Sequence, residues 1–207
     1  WTPDLTYAQV DTGNVQAAGL MNFLMGGRMD LANIGIWGHS SGGGMVPWLA
    51  QQAAKRGWGR SSMWLQMTGM YFAFKVGTSG PIHLPANARV QVVAFDQDDK
   101  SDAGIGIDAF KSFDIPYSQK DHIMIRSDAG FTADHFVPVS WMLVPIKADH
   151  LDWYGINRNY QALSDCARAG QNCGADLSYM GTWSDGHLAP RAIVSDNPVD
   201  IGPPALD

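Results

Sequence analysis

Apolar residues at positions 15, 17, 18, 20, 21, 24 and 25 recur at helical spacing, which predicts a helix over 14–25 ended by Gly26 and Gly27. The compact apolar run at 33–38 predicts a buried strand, and 45–56 reads as the helix after it. Pro47 is expected in the first turn of that helix, where its missing N–H costs nothing. Strands are predicted at 62–69, 89–95 and 121–127, with a helix at 105–113 between the last two. The first of these strands runs into the aromatic loop Met70-Tyr71-Phe72. A long helix is predicted over 149–169, stopped by Gly170, and Asp185-Gly186 marks a hairpin turn in the tail 179–194. No internal repeat interrupts the series. The β-α-β-α succession predicts an α/β fold with a mainly parallel sheet flanked by helices.

Composition narrows the class. The chain has 207 residues, enough for one domain (1–207) with a sizeable core, and 45% apolar against 16% charged residues make it globular. No apolar run is long enough to cross a membrane. The net charge of −6 carries no basic cluster, which argues against nucleic acid or an anionic membrane as partner and suits a soluble enzyme with a neutral substrate. The two cysteines, Cys166 and Cys173, are too far apart for C-x-x-C redox chemistry and lack the matching pair of a zinc site. A disulfide closing a short loop is the main reading, two half-buried thiols the alternative. A disulfide, few lysines and many tryptophans and glycines point to a secreted or periplasmic protein. No leader is visible, so a mature exported chain is expected.

The densest chemistry is Gly38-His39-Ser40-Ser41-Gly42, which is G-x-S-x-G between a predicted strand and a predicted helix. In that context a tight turn lifts the Ser40 hydroxyl off the strand end. Gly38 and Gly42 are expected where a side chain would collide with the neighbouring strand and helix. The Ser41 N–H, opening the helix, can face a developing oxyanion. Four acids crowd 96–102: Asp96, Asp98, Asp99 and Asp102. A calcium loop fails there, because Lys100, Ser101 and Ile107 stand where ligands and the turn glycine belong. No metal and no cofactor is implied, and no G-x-G-x-x-G supports a dinucleotide.

With that motif the chain resembles the α/β-hydrolase superfamily. The stretch 120–128 leading to Asp134-His135, and Met180-Gly181-Thr182-Trp183-Ser184-Asp185-Gly186, look like secreted members of it. They are similar, more distantly, to dienelactone-hydrolase-like and polyesterase-like enzymes. The resemblance implies a Ser-Asp-His chain order. It puts the acid three residues past the strand 89–95, at Asp98, with Asp99 next and Asp96 or Asp102 behind. It puts the base in the loop after the last main strand, at His135, with His187 and His150 as rivals. His39 is then structural, His122 lies mid-strand, and His83 is out of order.

The implied activity is carboxylic-ester hydrolysis through an acyl-serine, with Ser41 at the oxyanion and Met70, Tyr71 and Phe72 as pocket candidates. A non-catalytic binding or assembly module on the same scaffold is the alternative. One departure stands out. In the superfamily several strands precede the nucleophile, and here only one helix does. The chain therefore reads as the second half of the fold, and a second chain or cleaved N-terminal fragment is expected to complete the sheet. Otherwise the strand carrying Ser40 would be an exposed apolar edge, and the alternative is a rearranged minimal fold that covers that edge in some other way.

Overall fold

The computed structural model describes residues 3–71, 80–128, 130–139, 149–183 and 185–199. Its elements are α1 (Pro3–Leu24), β1 (Asn33–His39), α2 (Ser41–Lys55), β2 (Ser62–Thr68), β3 (Ala88–Phe95), α3 (Ala103–Ser112), β4 (Lys120–Ile125), a π-helical stretch Leu151–Asn157 continuing into α4 (Arg158–Ala169), and β5 (Ile193–Ser195). The sheet order is β1-β2-β3-β4-β5. The first four strands are parallel, with Ile36 beside Leu65, Leu65 beside Val90 and Val92 beside His122; β5 runs antiparallel to β4.

A parallel sheet needs cover on both faces, and two apolar clusters supply it. On one face Val46 and Ala50 of α2 and Phe110 of α3 pack on Met63, Leu65, Val90 and Val92. On the other, Val93, Phe95, Ile123 and Ile125 meet Leu151, Ile156 and Met180. Alternation along β3 sorts its side chains between the two layers. Tyr7 anchors α1, buried edge-on against Trp48 of α2, and Asp11 pairs with Arg56.

Several expectations need correction. The first helix starts at Pro3, well before the periodic segment, and α2 starts at Ser41 rather than residue 45. Pro47 consequently lies inside α2, past its first turn, where it has no N–H to donate to the carbonyl of Gly43. The predicted helix 149–169 opens as π-helix, in the turn where Gly155 presses on the sheet. A Cβ there would stand 2.4 Å from Ile125 Cδ1. The strand β5 has only three residues, too few for a periodic signal. Cys166 and Cys173 form a disulfide at the end of α4. Among the described residues no helix is long and apolar enough to cross a membrane.

Among the described residues β1 pairs on one side only. Its Trp37 is 46% exposed, and a groove of about 480 Å³ runs between β1, α1 and α2, lined by Ala18, Leu31, Ile36 and Met45.

Candidate active site

The candidate residues gather at the carboxyl ends of the parallel strands, where open α/β sheets place their ligand sites. Ser40 is the single residue between β1 and α2, at φ 56° and ψ −126°. A non-glycine residue with positive φ is strained, and such strain persists only where the surroundings impose it. Here the Ser40 N–H donates to Thr68 O, and Ser40 O accepts from Gly44 and Tyr71 N–H groups. Gly38 is required, since a Cβ there would lie 2.4 Å from Gly42 O. Gly42 is not: a Cβ at that position would meet nothing within 4 Å, because it faces the groove beside β1. The close approach falls to Gly43, whose Cβ would sit 3.2 Å from Gly38 O and 3.3 Å from Thr68 O.

His135 Nε2 lies 2.9 Å from Ser40 Oγ, and His135 Nδ1 lies 2.8 Å from Asp98 Oδ2. A carboxylate can only accept, so Nδ1 carries the proton and Nε2 is left to accept from the serine hydroxyl. Both His135 and Asp98 are buried. The backbone N–H groups of Lys100 and Ser101 donate to Asp98 Oδ1, which reserves Oδ2 for the histidine.

The four neighbouring acids have separate work. Asp96 accepts from Ser127 N–H and hydroxyl, tying β3 to the loop that carries His135. Asp99 is exposed and pairs with Lys100. Asp102 caps α3 through the Gly104 N–H. Only Asp98 reaches a histidine near Ser40.

The rival histidines separate as cleanly. His150 sits against Phe131 and Trp183, with Asp128 at 3.9 Å. His187 is exposed beside Asp185, His83 pairs with Asp114, and His122 is buried in β4. His39 directs Nδ1 to Thr68 O at 3.0 Å, and its ring lies 4.6 Å from that of His135. Burial, reinforced by the neighbouring His135, pushes its pKa down to about 4, so it is neutral at pH 7.

Two residues at this site carry little sequence signal. Gly69 has φ +48°, and a Cβ there would press on Asp98 Oδ2 and His39 Cε1 at 3.2 Å and on His135 Nδ1 at 3.4 Å. Ser101 is buried and donates through Oγ to Met70 O. The glycine is legible only as a strand-end residue; the serine is one polar residue in a polar loop.

Ser41 opens α2, so its N–H has no partner within the helix and is free for an acceptor above the turn. Among the pocket candidates, Tyr71 is 39% exposed, whereas Met70 is 2% exposed and packs into the core. Phe72 lies outside the described residues. Among the described residues no cluster of three or more His, Cys, Asp or Glu could hold a metal. The chain matches no protein-family model and no curated protein.

Proposed function

We propose that this chain is a serine hydrolase of the α/β-hydrolase type, cleaving carboxylic esters. The observation that carries the reading is the unbroken hydrogen-bonded series Ser40–His135–Asp98, beginning at a strained serine on a strand-to-helix turn. His135 takes the Ser40 proton as Oγ attacks the ester carbonyl, forming the C–O bond of a tetrahedral intermediate. Asp98 holds the imidazole tautomer and stabilises the imidazolium. The Ser41 N–H at the start of α2 donates to the oxyanion. Collapse expels the alcohol, which takes the proton from His135. Water then repeats the sequence on the acyl-serine and releases the acid. Tyr71, exposed and bonded through its N–H to Ser40 O, borders the substrate.

In this reading the open edge of β1 is completed by a strand from a second chain or a cleaved N-terminal fragment, which also supplies the other oxyanion donor. The exposed Trp37 and the adjoining groove support that part. The disulfide supports an oxidising compartment, secreted or periplasmic.

The test is intact-mass analysis after exposure to a fluorophosphonate. One adduct mapping to Ser40, lost in Ser40→Ala and His135→Ala, is expected. A folded chain that takes no adduct sinks the hydrolase reading.

A further inference from the structure

A single peptide group, the one joining Met70 to Tyr71, touches both ends of the site. Its N–H donates to Ser40 O at 3.2 Å, and its C=O accepts from Ser101 Oγ at 2.6 Å. Ser101 in turn donates its own N–H to Asp98 Oδ1 at 2.9 Å. Asp98 bonds His135 and His135 bonds Ser40. The contacts close into a ring that runs Ser40, peptide 70–71, Ser101, Asp98, His135 and back to Ser40.

The nucleophile and the acid stand on different strand ends, after β1 and β3, with the 70–71 peptide after β2 lying between them. Nothing covalent fixes their separation. The Ser101 side chain bridges the acid loop to the segment that holds the serine turn. It is 5% exposed, so water does not compete for the bond, and buried bonds in series polarise one another. Asp102 caps α3 next door, which fixes where Ser101 starts.

We propose that Ser101 is a positioning residue: its hydroxyl sets the height of the Asp98–His135 pair relative to Ser40. This rests on the ester-hydrolase reading for its kinetic consequence, though not for its structural one. A misplacement of about 1 Å at reacting groups can cost roughly 100-fold in rate. Removing the bridge should therefore act on the chemical step rather than on substrate affinity.

The experiment compares Ser101→Ala, Ser101→Thr and the parent chain, using p-nitrophenyl acetate turnover and the far-downfield proton resonance of His135 Nδ1–H. In S101A, kcat is expected to fall on the order of 10- to 100-fold with KM within about threefold, and the resonance to move or broaden. S101T keeps the hydroxyl and should return kcat to within about threefold of the parent with the resonance restored. Ser101→Cys, a weaker donor of similar shape, should give an intermediate kcat and carries the same comparison if S101A does not fold. An S101A protein with parental kcat and resonance overturns the proposal. So does equal impairment of S101A and S101T with the resonance unmoved, which leaves packing as the only role. If the parent turns over no ester and takes no fluorophosphonate, the hydrolase reading fails separately, and the resonance comparison still decides whether Ser101 holds the pair.

Discussion

Gly69 makes the sharpest case at the scale of one residue. Its positive φ alone would cost an L-residue roughly 1–2 kcal/mol, and its missing Cβ leaves the space that Asp98, His39 and His135 share. Gly69→Ala should therefore lower the melting temperature. Under the proposed ester hydrolysis it should also reduce turnover about tenfold or more, with KM little changed, as steady-state kinetics on p-nitrophenyl acetate would measure. Parental turnover in this variant would mean that the trio tolerates displacement. The serine turn was legible from five residues, because the G-x-S-x-G pattern reflects a backbone constraint. Gly42 was misread from the same pattern. Whether a Cβ collides depends on what packs above it, and above Gly42 there is open groove.

At the scale of elements, the end of α4 has a local logic. Gly170 takes the left-handed conformation, its N–H returns to Cys166 O and Gln171 N–H returns to Asp165 O. The chain then turns back through Asn172 to Cys173, and the disulfide closes a short loop. Cross-linking such a loop is worth roughly 2–3 kcal/mol through the unfolded chain. Reduction, or paired Cys166→Ser and Cys173→Ser substitution, should lower the melting temperature by about 4–12 °C in calorimetry. A shift below about 1 °C would assign the loop to its own hydrogen bonds, such as Asn172 to Asp165. Helix boundaries were less readable than helix existence. Polar and small residues over 3–13 and 41–44 hide their helical state, which Tyr7 packing on Trp48 and the turn after Ser40 impose from outside.

For the whole molecule, buried titratable groups tie stability to pH. Burial lowers the pKa of both His39 and His122 to about 4, against an ordinary value of 6.5. Both rings are neutral when folded and charge readily when unfolded. Between about pH 4 and 6.5 the unfolded chain binds more protons, so stability is complete above that window and falls as pH is lowered through it. His122, almost wholly buried in β4, contributes up to roughly 3 kcal/mol of this loss. Asp121, whose carboxyl is raised by burial, opposes the loss at the acid end. Urea unfolding at pH 7 and pH 4.5 should show the fall, and His122→Gln should flatten it by about half. An unchanged slope in H122Q would place the coupling elsewhere. By itself the sequence determined the order of strands and helices through α4, the serine turn and the short cysteine loop. Those are local matters of periodicity, backbone constraint and chain length. The resemblance pointed to Asp98 and His135, and the tertiary structure sets these two against each other while giving Asp96, Asp99 and Asp102 other partners. Tertiary structure alone decided that Met70 is core and that Ser101 bridges to the serine turn. Those choices depend on how strand ends far apart in the chain are set side by side, and no local pattern records that.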